Sequence, residues 1–390
     1  MNTKQLKLLA DIQTGPFGSQ LHKEDYVTVG TPIVTVEHLG NRVFTEQNLP
    51  MVSDTDKERL NKYVLKVGDI VFSRVGSVDR CSYVDAAHDG WMFSGRCLRV
   101  RPNDDLDASF LYYYFCLEET KQFVRNIAVG ATMPSINTKL LGEVPITYPD
   151  IDTQRKIAQV LAAIDDRIEN NSKINDNLQQ QALAIFQQEL LRDGELPEGW
   201  SNGSLLDIAN YLNGLAMQKF RPADGENGLP VLKIKELRQG SCDAGSELCS
   251  PSIKPEYIVH DGDVIFSWSG SLLVDLWCGG ICGLNQHLFK VTSEKYPKWF
   301  YYAWTAHHLA RFVAIAADKA TTMGHIKREE LAKAEVVIPD AASMERISGI
   351  LQPMYDLIIS NRIENRKLAA LRDTILPQLM SGELDVSDLT

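Results

Sequence analysis

The sequence predicts an α/β (α+β) protein with two globular domains, each followed by a long amphipathic helix. The first observation is an internal repeat: GDIVFSRVGS, which begins at Gly68, returns as GDVIFSWSGS at Gly262. The second is an offset of 190 residues that later carries Ile157 onto Ile347. The third is a helical period of apolar residues after each copy. Because such repetition indicates repeated structural units, we expect pseudo-two-fold symmetry.

The length of the chain requires more than one domain, because 390 residues exceed what one compact core organises. A turn-rich, polar segment after residue 191 reads as the connector between the copies. We therefore divide the chain into a globular domain at 1–150, a central helix at 151–193, a second globular domain at 194–340, and a distal helix with a C-terminal tail at 341–390.

The first copy shows its elements in order. Short runs of β-branched residues bounded by Gly, Pro and Asn predict strands at 32–36, 69–72 and 97–101. An aromatic-rich segment then predicts one helix with a buried face over 109–127. A loop over 130–137 and a strand over 140–148 complete the copy. The second copy repeats the aromatic helix from Trp299 onward.

The long helices carry apolar residues at alternating spacings of four and three, which is the pattern of a coiled-coil seam. In the first helix the seam includes Ile157, Leu161, Ile164, Ile168 and Leu178, and in the second Ile347, Leu351, Met354, Ile358 and Leu368. Asp150 or Asp152 is expected to cap the first helix, and Pro353 to kink or delay the second.

Asparagines interrupt the apolar seam at equivalent positions: Asn171 and Asn175 in the first helix, Asn361 and Asn365 in the second. One interpretation makes them partly exposed polar residues near a splayed end. The other makes them register determinants of an intramolecular antiparallel pair, because buried polar contacts exclude slipped pairings.

Composition restricts the function classes. The formal charge of −11 is unusual for a protein that binds nucleic acid unaided, although a local basic strip remains compatible with it. The seven irregularly spaced cysteines are typical of reduced thiols. We find no membrane span, signal peptide, P-loop, HExxH or paired CxxC motif, and therefore expect a cytoplasmic chain without a metal or cofactor.

Three loops in each copy carry small and hydrogen-bonding residues suited to phosphates and base edges. The candidates of the first copy are Phe17, Ser19, Gln20, Ser73, Arg74, Ser77, Arg80, Thr132, Ser135, Asn137 and Lys139. Those of the second are Ser267, Trp268, Ser269, Ser271, Thr322, His325 and Lys327, with a basic cluster of Lys219, Arg221, Lys233 and Lys235. The alternative is that they are ordinary turns required for folding. Differences between the copies, such as Arg74 against Trp268, would let two domains read different sequences.

These motifs resemble the specificity subunit of type I restriction–modification systems. The resemblance rests on the GDIVFS-like strands, on the loop TMPSIN at 132–137, and on Pro149 and Gln154 before the long helix. It covers essentially the whole chain. The second copy departs from the pattern in its loop, where Gly and His replace Pro and Ser, and at Met344, which stands where Gln154 stands.

The resemblance implies a non-catalytic subunit whose two target-recognition domains each read half of an asymmetric, gapped site in double-stranded DNA. Its helices would pair as an antiparallel coiled coil and dock two methyltransferase subunits, which bind S-adenosylmethionine and flip the target adenine. Restriction subunits with ATP and Mg would add endonuclease activity. The chain itself would bind no cofactor, and it would be a prokaryotic cytoplasmic protein.

Two rival interpretations come from other classes of protein. A protein-interaction scaffold without DNA specificity of its own would suit the charge of −11. A nuclease or methyltransferase enzyme would need clustered catalytic groups. The only acid-x-Lys triple of the chain, Glu119 with Lys121, lies in a predicted helix and is a weak nuclease signal. Cys278 and Cys282 lack the second pair of ligands that a zinc site would need.

Overall fold

The computed structural model describes residues 1–16, 20–40, 42–191, 194–318 and 326–386, with the backbone alone at Lys23 and Asp318. The chain forms two compact units. Unit 1 consists of Met1–Arg167 and the segment that begins at Leu368, and unit 2 is Ile168–Lys367. Each unit contains one globular α/β domain and parts of both long helices. The predicted fold class, with its repeated domains and long helices, is confirmed.

The strands of unit 1 form small sheets close to the predicted positions. They are β1 (Asn2–Gln5), β2 (Ala10–Thr14), β3 (Tyr26–Val27), β4 (Thr31–Val34), β5 (Met51–Val52), β6 (Ile70–Ser73), β7 (Cys81–Tyr83), β8 (Met92–Phe93), β9 (Cys97–Pro102) and β10 (Pro145–Tyr148). An antiparallel sheet has the order β2–β9–β6–β7, and a mixed sheet has the order β3–β5–β4–β8, in which β4 and β8 run parallel. β1 pairs with β10.

The helices of unit 1 are α1 (Asp54–Arg59), α2 (Ala108–Cys116), α3 (Glu118–Ile127), α4 (Thr138–Gly142) and α5 (Ile151–Leu190). The prediction of one helix over 109–127 is wrong, because Leu117 has an extended ψ of 134° and separates α2 from α3. The predicted strand over 140–148 is also too long. Asn137 Oδ1 accepts the Leu140 N–H (2.9 Å) and caps a short helix before β10. Asp150 caps α5 as predicted, by accepting the Thr153 N–H at 3.0 Å.

The core of unit 1 joins the aromatic helix to both long helices. Ile157 and Leu161 from the start of α5 are buried in the same cluster as Leu379 from the end of the distal helix. Buried Asp165 connects them further, because it accepts hydrogen bonds from Tyr113 (2.8 Å) in α2 and from Arg372 (2.7 Å) in the distal helix. Burial and the Asp165 carboxylate raise the Tyr113 pKa, so the phenol stays protonated as a donor.

Unit 2 repeats the strand arrangement of unit 1. Its strands are β11 (Ser201–Ser204), β12 (Asn210–Asn213), β13 (Leu229–Leu232), β14 (Leu248–Cys249), β15 (Ile258–Val259), β16 (Val264–Ser267), β17 (Leu273–Leu276), β18 (Cys282–Leu284), β19 (Leu288–Thr292) and β20 (Glu335–Ile338). The antiparallel sheet has the order β12–β19–β16–β17, and the mixed sheet β14–β13–β18–β15, in which β13 and β18 run parallel. β11 pairs with β20.

The helices of unit 2 are α6 (Leu205–Ile208), α7 (Ile234–Gln239), α8 (Lys298–His307), α9 (Leu309–Asp318), α10 (Arg328–Ala332) and α11 (Ala341–Ser381). The predicted late start of the distal helix is wrong. α11 begins at Ala341, where Asp340 caps its first turn by accepting the Ser343 N–H at 2.9 Å, and the helix continues through Pro353. Among the described residues, none of the helices combines the length and apolar character that a bilayer crossing needs.

The repeated GD-x-x-FS strand separates two apolar clusters in each unit. In unit 1, Ile70 and Phe72 of β6 enter the cluster of the long helices, whereas Val71 enters the cluster beneath the mixed sheet. In unit 2, Phe266 and Ile265 of β16 divide in the same way. Since successive side chains of a strand point to opposite faces, a strand covered on both faces needs an unbroken apolar run.

The four seam asparagines form a reciprocal hydrogen-bond network in unit 2. Asn361 Nδ2 donates to Asn175 Oδ1 (2.9 Å), and Asn171 Nδ2 donates to Asn365 Oδ1 (2.9 Å). Asn175 and Asn365 use their own amides to bind main-chain carbonyl groups of the opposite helix. The partner of 171 is 365 and the partner of 175 is 361, so α5 and α11 run antiparallel in this unit. The role of these residues in register stays a prediction.

Candidate nucleic-acid interface

In unit 1, four segments distant in sequence meet at the carboxyl end of β6. The Arg74 N–H donates to the Arg96 carbonyl (2.8 Å), and the Arg74 carbonyl accepts the Ile136 N–H (2.9 Å). The Ser94 N–H donates to the Val34 carbonyl at 2.8 Å, which extends the parallel pairing of β4 with β8. These bonds hold the loops after β4, β6 and β8 side by side.

In unit 2, different residues form the same set of main-chain hydrogen bonds between the loops. The Trp268 N–H donates to the His287 carbonyl (3.4 Å), and the Trp268 carbonyl accepts the Ile326 N–H (2.9 Å). The Asn285 N–H donates to the Leu232 carbonyl at 3.2 Å. Each bond has its counterpart in unit 1, so Trp268 occupies the position of Arg74, and His287 the position of Arg96.

A third equivalent position lies in the turn after β4 and β13. The main-chain N–H of Thr35 in unit 1, and that of Lys233 in unit 2, donates to the side chain three residues later, at 3.0 and 3.2 Å. Two residues beyond these, Glu37 stands in unit 1 where Lys235 stands in unit 2. The three positions thus carry Glu, Arg and Arg in one unit and Lys, Trp and His in the other.

The loops of unit 1 enclose a cleft of about 600 Å³. Its lining residues are Tyr26, Thr35, Val36, Glu37, Arg74, Ser94, Gly95 and Arg96. Arg74 is half-buried and donates from Nη1 to the Gly95 carbonyl at 3.1 Å, whereas Glu37 and Arg96 are exposed. The cleft therefore presents both a carboxylate and guanidinium groups to solvent.

Several predicted contact residues of unit 1 have their polar groups engaged inside the protein. Ser73 is only 2% exposed and donates to the Val75 carbonyl (2.7 Å), so direct DNA contact by its hydroxyl is corrected to a role in holding the turn. Ser135 Oγ donates to the Val129 carbonyl, and Asn137 is the cap of α4. Gln20 Oε1 accepts the Tyr63 hydroxyl at 2.7 Å.

Other candidates of unit 1 are accessible for contact. Ser77, Arg80 and Thr132 are exposed on the loops after β6 and before α4, and Lys139 is exposed within α4. Main-chain hydrogen bonds place Arg74, Ser77, Arg80 and the 132–137 loop together after β6, and their contact with DNA stays a prediction. Phe17 and Ser19 lie outside the described residues.

The loop candidates of unit 2 divide in the same way. Ser267 is fully buried and Ser269 is 5% exposed; the first donates to the Ser271 carbonyl (2.9 Å) and the second hydrogen-bonds to His287 Nδ1 (3.0 Å). The prediction that these two hydroxyls contact DNA directly is therefore corrected as well, because both are engaged inside the protein. Trp268 Nε1 donates to Asn213 Oδ1 at 3.0 Å, with the indole half-buried. Ser271 and Lys327 are exposed, and Thr322 and His325 lie outside the described residues.

The predicted basic cluster of unit 2 is largely neutralised by acidic neighbours. Glu247 lies 2.8 Å from Lys233 Nζ and 3.5 Å from Arg221 Nη1, and Asp243 lies 3.1 Å from Lys235 Nζ. The lysine and arginine side chains lower the pKa of both carboxyl groups, which keeps them ionised. Lys219 is exposed on the turn after β12.

Sequence reasoning missed Glu37, Arg96 and His287. No motif marks them, and Arg96 lies 22 positions from Arg74, so only strand pairing shows that they meet. One usable signal was present: the strand predicted at 97–101 places Arg96 directly before it. The repeat then leads from Arg96 to His287, the residue before β19.

The enzyme interpretation requires a cluster of metal-binding or catalytic groups within the described part of the chain. There, no group of three or more His, Cys, Asp or Glu side chains is arranged to hold a metal ion. Glu119 and Lys121 lie in α3, as the sequence indicated. Cys278 and Cys282 are buried, and burial raises the pKa of the Cys278 thiol to about 11.

Comparison with known proteins identifies the family. Residues 1–180 and again 197–371 match the model of the type I restriction modification DNA specificity domain. This chain therefore belongs to the family of type I restriction–modification DNA specificity subunits. The predictions of a non-catalytic specificity subunit and of repeated DNA-recognition domains are confirmed. The enzyme interpretation is not supported.

The relatives extend over nearly the whole chain. The MjaIX specificity subunit of Methanocaldococcus jannaschii is 24% identical over 413 aligned positions, covering 100% of this chain and 94% of the relative. The HindI specificity subunit of Haemophilus influenzae is 20% identical, and the match covers 83% of this chain and 88% of the relative. The crystal structure of a type I S subunit from M. genitalium shares the fold, with a TM-score of 0.61 and 15% identity. The match covers 97% of this chain and 95% of that structure.

Proposed function

We propose that this chain gives a type I restriction–modification complex its DNA sequence specificity by reading an asymmetric, gapped site, one half-site per unit. The observation that carries this proposal is the equivalence of the two loop frames. Arg74 and Trp268 occupy the same backbone position, as do Arg96 and His287. Two equally built readers with unlike side chains suit two half-sites of unlike sequence.

The partners proposed for this chain are two methyltransferase subunits that dock on its long helices. Ile350 and Leu357 of α11 are each 45% exposed and seven residues apart, so they lie on one helix face. Exposed apolar residues arranged in this way favour a protein partner. The methyltransferases would bring S-adenosylmethionine, and the restriction subunits ATP and Mg, to a complex in the prokaryotic cytoplasm.

The charge of −11 fits a reader that depends on its partners for affinity. Phosphate contacts supply most of the sequence-independent attraction to DNA, and their number sets the salt dependence of binding. In unit 2 the acidic side chains of Glu247 and Asp243 offset neighbouring cations. We therefore expect the chain alone to bind DNA weakly and the assembled methyltransferase complex to bind it tightly.

The test is to map methylated bases in DNA exposed to the complex. The chain is coexpressed with the methyltransferase subunit of its own system in a methylation-free host, and the genome is read by long-read sequencing that detects modified adenine. We expect a single asymmetric motif with two half-sites and a constant spacer. The methyltransferase without this chain is the control and should leave the genome unmodified. Methylation without this chain, or a motif without a gap, would contradict the proposal.

A further inference from the structure

We infer that the cleft of unit 1 reads a G·C base pair, with Arg96 contacting the guanine and Glu37 the amino group of the cytosine. This inference rests on the proposed function and assigns a base pair to one of its half-sites. It uses two residues that no sequence motif marked. Both line the 600 Å³ cleft, and both side chains are exposed.

The chemistry of the two side chains matches one base pair better than the others. A guanidinium can donate two hydrogen bonds to the O6 and N7 acceptors of guanine, and a carboxylate accepts from the N4 amine of cytosine. These groups face the major groove from the two partners of one G·C pair. Glu37 is oriented by the Thr35 hydroxyl, which donates to its carboxylate at 3.1 Å.

Arg74 positions Arg96 rather than reading the base itself. Its Nη1 donates to the carbonyl of Gly95 (3.1 Å), and its main-chain N–H donates to the carbonyl of Arg96 (2.8 Å). Arg74 thus fixes two successive carbonyl groups, that of Gly95 through its side chain and that of Arg96 through its main chain. A base-reading group must be held in this way, since misplacement by about 1 Å weakens directional hydrogen bonds.

The equivalent positions of unit 2 do not offer this combination. Lys235 replaces Glu37 and is paired with Asp243, and His287 replaces Arg96 and is hydrogen-bonded to Ser269. With neither a carboxylate nor a guanidinium at these positions, unit 2 lacks the groups that would recognise a G·C pair in this manner. The assignment therefore concerns the half-site read by unit 1 only.

The experiment compares methylation motifs of complexes that carry single substitutions. In Arg96→Ala we expect one G·C position of one half-site to accept other pairs, with preference falling roughly 5- to 150-fold. Arg96→Lys keeps the charge but loses the two-pronged donor, so it should relax the same position while retaining more binding. Glu37→Ala and Arg74→Ala should relax that position too. The matched control is His287→Ala, which should alter the other half-site alone.

Thermal unfolding of each purified complex separates base reading from folding, because Arg96 and Glu37 are exposed and their removal should leave the melting temperature unchanged. The inference is overturned if the Arg96→Ala motif equals that of the wild type, if both half-sites relax equally, or if the relaxed position is an A·T pair. The proposed function fails separately, if the wild-type complex shows no gapped motif at all.

Discussion

The side-chain amide of Asn361 donates a hydrogen bond to Oδ1 of Asn175 at 2.9 Å, and both residues are buried between α5 and α11 in unit 2. Asn175 in turn donates to the Ile358 carbonyl at 3.3 Å. We therefore predict that this pair holds one register, because a slip of either helix would leave amide groups without partners.

Replacing one member of this pair should destabilise the protein more than replacing both. Asn361→Leu leaves Asn175 Oδ1 without its donor, which costs about 1–3 kcal/mol of unfolding free energy. In the double variant Asn175→Leu/Asn361→Leu we expect a smaller loss than the sum of the single variants. Calorimetry of the full chain measures this, with exposed Asn177→Ala as control. If the loss of unfolding free energy in the double variant equals the sum of the two single losses, the asparagines do not act as a coupled pair and the register prediction is contradicted.

Lengthening both long helices should lengthen the spacer of the DNA site. One heptad inserted between Arg167 and Ile168 of α5, and another between Lys367 and Leu368 of α11, adds roughly 10 Å. At about 3.4 Å per base pair this is about three base pairs. Methylation mapping should show the same half-sites with a longer gap. A heptad in α5 alone is the control: it cannot keep both the Asn pairs of unit 2 and the Asp165–Arg372 pair of unit 1, so it should lower the melting temperature. An unchanged spacer in the double insertion would contradict this view of the helices.

Lys219 is expected to contact a DNA phosphate. It is exposed on the turn after β12, so Lys219→Ala should weaken binding to all sequences similarly. The negative slope of the logarithm of the binding constant against the logarithm of the salt concentration should become shallower by about 0.9. Titrations of the methyltransferase complex at several salt concentrations measure it. Lys173→Ala, which removes a cation of α5 paired with Glu169, is the control and should leave the slope unchanged.

Cys242 should react with iodoacetamide before the buried thiols. A hydrogen bond from the Cys282 thiol lowers the pKa of Cys242, whereas burial raises the pKa of Cys97 to about 12. A lower pKa means more of the reactive thiolate at a given pH. Mass spectrometry of the briefly alkylated protein identifies the modified residue. Cys282→Ala removes the donor and should slow the labelling of Cys242; faster modification of Cys97 than of Cys242 would contradict this assignment.

The sequence by itself determined the features that depend on near neighbours. The apolar run around Ile70, the 4,3 spacing from Ile157 onward and the cap at Asp150 each act within a few residues. They predicted β6, the seam of α5 and its first turn. The internal repeat added the second unit, because the same local patterns return about 190 residues later.

Only the tertiary structure decided which loop residues act together. Glu37, Arg74 and Arg96 meet because β4 pairs with β8 and β6 with β9. The same pairing buries Ser73, whereas Ser77 and Arg80 beyond the turn remain exposed. Periodicity and capping are properties of consecutive residues, whereas a cleft depends on strand register between segments far apart in the chain. A residue at such a place carries no local signature, so its contribution becomes visible only once the strands are paired.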